Sequence, residues 1–464
     1  MKSIKVTVPK TLNLFICYFP LFFVLGNFFL NSIVVLVSVL GIIHYKKELI
    51  NFKKDNPVLL IIFFFIIVFF SSFLEYFQNN QTAFLLKSFT FLRYLIFLLV
   101  LRCMMIKNDL DLKKVLFLSL FFSSFIALDV IFQYFAGFNI FGFKPYLEVF
   151  PASLFVDEPI AGGYILRFAT IGFFALPWLF DEKNNKFFYI SFLLLAISFA
   201  GTILSNNRMP TLMFVIFLSL LIIFFILRNL NYIKITSTIV VILISFLFVI
   251  NSEYAKKRYV SFYGGIPNLS KIINEVKKDY PEFKKYENSG EFFWFTETYK
   301  KNKDKINTLP SRTGHDQIYI TSLDAFLDDP LLGRGIKSFR YTCQEKKHLP
   351  NRMCENHPHH FYLEILNDVG IVGFITIFSA VILLIIKNLK KFSKRNKKIN
   401  KIYSMVFYSF LFALLIEYFP LRSQGSYSTV WNISYICFIL GILCGLADLK
   451  PERNLRSFKQ SSYK

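Results

Sequence analysis

"NHPHHFYLEILNDVGIVGFITIFSAVILLIIK", residues 356–387, decides how the chain is read. Three of the six histidines, His357, His359 and His360, stand in its first five positions. From about residue 369 the run is apolar and uncharged as far as Lys387. That is long enough to cross a hydrocarbon core of about 30 Å. Imidazoles therefore crowd the edge of a membrane span, and the side on which that edge lies decides what they can do.

The rest of the chain agrees with a membrane setting. It has 464 residues, is 55% hydrophobic and 19% aromatic, and carries 60 Phe. Mean hydropathy is +0.48. A soluble domain of this length does not accumulate so many uninterrupted apolar runs. Twelve candidate spans follow, at 11–28, 30–45, 57–74, 83–105, 114–136, 160–180, 187–204, 209–227, 233–250, 369–386, 402–419 and 429–447. The fold class expected is an all-α polytopic membrane protein of about twelve transmembrane helices. One long, partly helical loop separates spans nine and ten. The chain divides into 1–250 (spans one to nine), 251–368 (the loop), 369–447 (spans ten to twelve) and a basic tail, 448–464. The first two spans form a tight hairpin. No small-residue cleavage site follows the first, so it is read as retained. No tandem repeat is visible.

Orientation follows from Lys and Arg in short connections. With Lys2, Lys5 and Lys10 in the cytoplasm, the basic run "KNLKKFSKRNKKINK", 387–401, is also cytoplasmic. The short outer loops then hold only Lys144, Arg208 and Arg422. An even span number puts both termini inside and the loop 251–368 outside, in a periplasm-like space. The net charge of +23 is thus a topology signal and a match to an anionic inner leaflet. No nucleic-acid partner is implied. Cys343 and Cys354 alone among the six cysteines lie in the long loop. A pair in an oxidising compartment reads as a disulfide, contributing about 2–4 kcal/mol locally; two free thiols are the alternative.

Ionisable residues inside spans are costly and usually functional. Lys87 and Arg93 fall in span four, Asp129 in span five and Arg167 in span six. Arg208 occupies the turn "SNNRMP", where Pro210 can open span eight and leave the arginine at a helix N-terminus. Together they suggest a cation-lined cavity open to the outside. Snorkelling is the alternative for Lys87, and a mutual ion pair the alternative for Asp129 and Arg167. Arg matches phosphate oxygens well in a desolvated site, so a lipid pyrophosphate is a natural occupant.

Four motifs now carry a resemblance. They are "DDPLLGRGIKSF" (328–339), "HPHHFYLEILNDVGIVG" (357–373), "SNNRMP" (205–210) and "GFNIFG…LFVDEPIAGGYILRF" (137–168). In order and spacing they resemble the O-antigen ligase and O-antigen polymerase superfamily of bacterial envelope glycosyltransferases, over about 120–450. The ligase pattern is His, then an amide or hydroxyl residue, nine residues, and Gly-x-x-Gly. Aligned on Gly370 and Gly373, it puts the family histidine at His359. His360 stands where the family has an amide or hydroxyl. Arg208 corresponds to the family's essential outer-face arginine. Lys87, Arg93 and Arg167 match no motif letter.

The resemblance implies a multi-pass protein of the bacterial inner membrane with its large loop periplasmic. It implies transfer of a glycan from undecaprenyl pyrophosphate to a lipid A–core hydroxyl (ligase). The alternative is transfer to a second lipid-linked glycan (polymerase). His359 would orient the acceptor hydroxyl or take its proton. Arg208, helped by Arg167, Lys87 or Arg93, would hold the leaving pyrophosphate. Attack from the opposite face would invert the anomeric centre. His357 would orient the loop. Gly333 and Gly335 permit a tight turn that would bring Arg312 and His315 near the site. No metal and no cofactor is needed. The "HPHH" cluster with Cys354 offers metal donors, but its spacing is not that of a zincin pair. A transporter for lipid-linked sugar would not need clustered histidines in a long outer loop. The segment 255–310 matches no family motif. Ile272, Ile273, Val276 and Tyr280 approximate one helical face, fitting either a lid on the outer leaflet or an ordinary solvated helix.

Overall fold

The structure is a computed structural model that describes residues 8–51, 55–79, 82–180, 185–227, 236, 238–241, 243, 314–349, 352–393, 399–420 and 422–449. The ninth expected span is described only at 236, 238–241 and 243. The segment 255–310, Arg312 and the basic tail from 450 lie outside the described residues. Of His315 only the backbone is described.

The described residues are helical nearly throughout, as their apolar runs dictate. The elements are α1 (Val8–Cys17), α2 (Phe19–Val24), α3 (Asn27–Leu49), α4 (Asn56–Asn79), α5 (Thr82–Lys107), α6 (Leu112–Ala136), α7 (Ala161–Gly172), α8 (Ala175–Phe180), α9 (Asn185–Leu204) and α10 (Arg208–Leu227). After the polar segment come α11 (Gly314–Asp328), α12 (Phe339–Glu345), α13 (Phe361–Ser393), α14 (Ile399–Glu417) and α15 (Val430–Asp448). Among the described residues the sole β contact is an isolated bridge between Tyr146 and Phe150. Eight helices there are long and apolar enough to cross a membrane: α3, α4, α5, α6, α9, α10, α13 and α15. Stretches at 161–177 and 403–417 are shorter apolar helices. The protein is a polytopic all-α membrane protein. Span one is not one rod: α1 ends at Cys17 and α2 restarts at Phe19, with Pro20 in its first turn where no amide hydrogen is needed.

α15 is the most enclosed of these eight helices and packs along α5; α6 packs on α7 and α9, and α13 on α4. Close approach needs small residues. Gly441 and Gly445 of α15 lie directly against Leu101 and Met105 of α5.

A buried ion cluster marks one end of the bundle. Arg102 of α5 pairs with Asp55 at 3.3 Å and Asp448 at 2.6 Å. Lys387 of α13 reaches the same two carboxylates at 3.0 and 2.7 Å. Four elements are thereby tied at that end. Some seventeen residues along α4, about 25 Å at 1.5 Å per residue, Ser71 and Ser72 meet the turn 330–338. That opposite end carries the histidines.

α13 breaks at Gly370, whose backbone has φ +62° and ψ −169°. The break divides it into an arm, 361–369, and a membrane leg, 371–393. Any side chain at 370 would run into the backbone of Leu331 and Leu332. Gly370→Ala is therefore expected to cost about 1–3 kcal/mol from backbone strain alone, with steric overlap added. Thermal unfolding in detergent should show a clearly lower midpoint. Gly425→Ala, at an exposed and unstrained position, should match wild type. Equal midpoints for the two variants would remove the break as a structural requirement.

Candidate functional site at the histidine end of the bundle

The site begins with what the Gly370 break leaves undone. A broken helix exposes backbone donors and acceptors on both sides of the break. The turn 330–335 takes them. Ile371 N donates to Pro330 O at 2.9 Å, and Val372 N to Leu331 O at 3.2 Å. Arg334 N and Gly335 N donate to the carbonyls of Asn367 and Asp368, each at 2.9 Å. From the other side Ser71 Oγ donates to Leu332 O at 2.6 Å, and Ile336 N donates to Ser72 Oγ at 3.1 Å. The turn is wedged between α4 and α13.

Two carboxylates on the arm extend the scaffold. Glu364 accepts from Ser426 Oγ and from Tyr427 N, the latter at 2.8 Å. Asp368 accepts from Ser338 N at 3.2 Å and Tyr427 Oη at 3.0 Å. Asn367 Nδ2 donates to Ser322 on α11. Cys343 and Cys354 are joined, their Cα atoms 5.1 Å apart, so α12 is tied to the segment entering the histidine cluster.

The three imidazoles take different positions. His360 Nε2 lies 2.7 Å from Pro420 O, so it carries the proton and donates. Its ring also meets Tyr319 and Tyr362, with centroids 5.7 and 5.3 Å away. His360 thus anchors the α14–α15 connection. His359 sits in the left-handed region, φ +57°, and its carbonyl accepts from Gln424 N at 3.0 Å. The His357 and His359 ring centroids are 4.1 Å apart. Burial pushes the His357 pKa down to about 4, helped by repulsion from His359, Arg340 and Lys337. Burial also lowers His360, opposed by the Pro420 hydrogen bond.

Arg208 opens α10, half-buried, after a turn in which Asn206 has φ +58°. Asn206 Nδ2 donates to Val149 O at 2.9 Å, pinning the turn to the loop that follows α6. A cavity of about 370 Å³ lies beside it, lined by Gln133, Lys144, Glu148 and Asn206 among others. The turn before Arg208 is joined to the histidine end through α7. Gly162 of α7 abuts Ser205 and Asn207. One turn on, Arg167 pairs with Glu417, whose carbonyl accepts from Gln424 Nε2 at 3.1 Å. Gln424 in turn binds His359. His359 and Arg208 therefore occupy the same end of the bundle, away from the Asp55–Arg102 cluster.

The other cations sort differently. Arg167 is buried: Nε donates to Glu417 Oε2 at 3.1 Å, Nη2 to Asn432 Oδ1 at 2.6 Å, and its guanidinium lies 4.9 Å from the Tyr435 ring centroid. Arg422 shares Glu417 at 2.8 Å. Asp129 is not its partner. That carboxylate accepts from Ile140 N at 2.9 Å and Ser153 Oγ at 2.5 Å, bracing the outer loop. Lys87 reaches Tyr341 Oη of α12 at 3.4 Å and so joins the histidine end. Arg93 does not. It donates to Thr90 O and Tyr94 Oη and lines a groove of about 530 Å³ between α3 and α5 with Asn31 and Phe89.

Sequence reading overlooked Lys337 and Arg340. The glycines of "GRGIKSFRY" signalled the turn, but not that its far side carries two cations toward His357. Glu417, Gln424 and Tyr427 were also overlooked. Nothing local marks them, because their partners are distant in sequence.

Comparison with known proteins was informative at the family level. Residues 193–378 match the family model described as O-antigen ligase. The match runs from α9 through the Arg208 turn and the histidine cluster into the membrane leg of α13, and supports the ligase/polymerase superfamily. No curated protein matches the chain.

The depressed His357 pKa has a consequence for stability. An unfolded imidazole takes its proton near 6.5, whereas the folded ring resists it down to about 4. Between those values the unfolded chain binds more protons, so stability falls as pH drops through that window and is fully present above it. The unfolding midpoint is expected to decline from pH 7 to 4. His357→Gln should flatten the decline, leaving the part owed to His360. A slope unchanged by His357→Gln would assign the acid sensitivity elsewhere.

Proposed function

We propose that this multi-pass bacterial membrane protein, carrying an O-antigen ligase-type segment, is a glycosyltransferase. It moves a glycan from undecaprenyl pyrophosphate to a lipid A–core hydroxyl on the periplasmic face of the inner membrane. The observation that carries this reading is the common location of His359 and the Arg208 turn, linked through Gln424, Glu417 and Arg167. The strong basic bias of the 387–401 connection supports cytoplasmic termini. The Cys343–Cys354 bond suits an oxidising compartment.

In this reaction the acceptor oxygen attacks the anomeric carbon, and the bond from that carbon to the pyrophosphate oxygen breaks. His359 orients the hydroxyl and accepts its proton as attack proceeds. Its left-handed backbone fits a residue held for function at some local cost. His357 backs it with an uncharged ring, and His360 holds the adjoining loop. The pyrophosphate leaves with more charge than it had as an ester, and Arg208 stabilises that increase without a metal. Arg167 acts from beneath, holding the α7–α14–α15 junction that keeps the two groups together. Donation by backside attack inverts the anomeric configuration.

His359→Ala and Arg208→Ala are each expected to abolish glycan transfer while the protein inserts and folds as wild type. Activity retained in either variant would remove that residue from the site. EDTA should leave transfer unchanged; a loss restored by zinc would favour a metal site at His357, His359 and His360 instead. Deletion of the gene, followed by gel analysis of surface lipopolysaccharide, separates the classes. Loss of long chains with accumulated lipid-linked polymer means ligase. Core bearing a single repeat means polymerase, and unchanged lipopolysaccharide removes both.

A further inference from the structure

We propose that Lys337 and Arg340 form an anion-binding pair beside the histidines that holds a phosphate group of a lipid-linked substrate. The proposal rests on the glycosyltransferase reading for the identity of the substrate, and on the structure for the site itself.

The turn that seals the Gly370 break also aims these cations. Lys337 has φ +62°, a region that favours glycine and is strained for a lysine. It is held there by its neighbours, Gly335 N on Asp368 O and Ser338 N on Asp368 Oδ1. Arg340 lies one turn before Cys343 on α12. The disulfide to Cys354 brings that helix against the chain leading into His357 and His359. Lys87 arrives from α5 on Tyr341 of the same short helix. Arg340 and Lys87 each repel Lys337, and Lys337 and Arg340 repel a protonated His357.

What marks the pair is an unsatisfied donor on Arg340 and no ion pair on either side chain among the described residues. Arg340 Nε is buried and without a hydrogen-bond partner. Neither Lys337 nor Arg340 forms an ion pair among the described residues. Their neighbour Arg334 shows the opposite arrangement, with Glu75 at 3.2 Å, Glu345 at 2.8 Å and Asp329 at 3.6 Å. Glu364 and Asp368 are near Lys337 and favour its charge, but they accept from Ser426, Tyr427 and Ser338 and form no ion pair with it. Burial and the Arg340 charge together lower the Lys337 pKa. Positive charges half-withdrawn from water beside one another are unfavourable until an anion joins them. A phosphate or diphosphate matches the guanidinium fork and a point-charge lysine together.

Two phosphates could meet the pair: that of the polyprenyl donor, or that of a bilayer lipid. The test uses full-length protein in nanodiscs of zwitterionic lipid, titrated with a polyprenyl diphosphate and with the neutral polyprenol. Lys337→Gln and Arg340→Gln are each expected to weaken diphosphate binding about tenfold, near 1.4 kcal/mol, with polyprenol binding unchanged. Lys347→Gln, an exposed charge removed just beyond α12, should bind as wild type. Without ligand, Lys337→Gln should melt at the wild-type temperature or above it, because a repulsion is relieved; a merely structural lysine would lower it. Wild-type diphosphate affinity in both variants overturns the proposal. So does displacement of the diphosphate by equimolar phosphatidylglycerol, which would make this a general lipid-phosphate contact. His359→Ala separates the two readings. If it still transfers glycan, the catalytic assignment fails, while the binding result for Lys337 and Arg340 stands.

Discussion

The structure depends on how one interrupted helix is repaired. α13 carries the arm with His359 at its start and the membrane leg with Lys387 near its end, and Gly370 breaks it between them. In hydrocarbon an unpaired amide or carbonyl costs several kcal/mol. Non-helical backbone at that depth survives only when protein covers it. The turn 330–335 supplies that cover, with Ser71 and Ser72 behind it. The same turn belongs to the long polar segment. A soluble excursion of the chain is thus locked into the bundle at the point where the membrane leg begins. The arm, α11 and α12 then assemble on it as one unit.

Charge is arranged differently at the two ends. At one, Asp55, Arg102, Lys387 and Asp448 neutralise each other within the cluster. Buried pairs of this kind contribute little net stability but are costly to break, so they fix which helix ends meet. Near the other end, Glu417 serves both Arg167 and Arg422, leaving an excess positive charge. Beyond it the carboxylates Glu364 and Asp368 accept from hydroxyl and amide donors and form no ion pair with the Lys337 side chain. Lys337 and Arg340, which form no ion pair among the described residues while Arg334 beside them forms three, suit a ligand that brings its own negative charge.

Much of this was legible because membrane spans are written in local composition. A run such as 57–74 admits no other reading, and α4 covers it. Cys343 and Cys354 were paired from the compartment that the Lys and Arg bias implies, and they are joined. Gly370 stood out by its place in a motif, but its kink is set by Leu331 and Leu332, some forty residues earlier, which no local pattern announces. Arg167 illustrates the limit more sharply. Asp129, the acidic residue inside the preceding span, is the ion-pair alternative the sequence offers, yet Glu417, 250 residues away, is the partner. Lys337 and Arg340 read as ordinary loop charges until the turn and the disulfide gave them a direction.

The histidine cluster shows why the residue type alone does not assign a role. His360 stands where related sequences have an amide or hydroxyl, and it does what such a group does: Nε2 donates one hydrogen bond to Pro420 O. Its donor is spent on structure. His357 has been driven toward the neutral form by burial, so it is poorly suited to gain a proton near neutral pH. That leaves His359, whose backbone is pinned by Gln424 and held in a conformation few L-residues adopt. Its ring centroid lies 4.1 Å from that of His357, tilted rather than stacked on it, and this placement supports the orienting role proposed for it. The anchor at His360 and the neutral ring at His357 follow from hydrogen bonds and burial, and the orienting role of His359 is the proposal built on them.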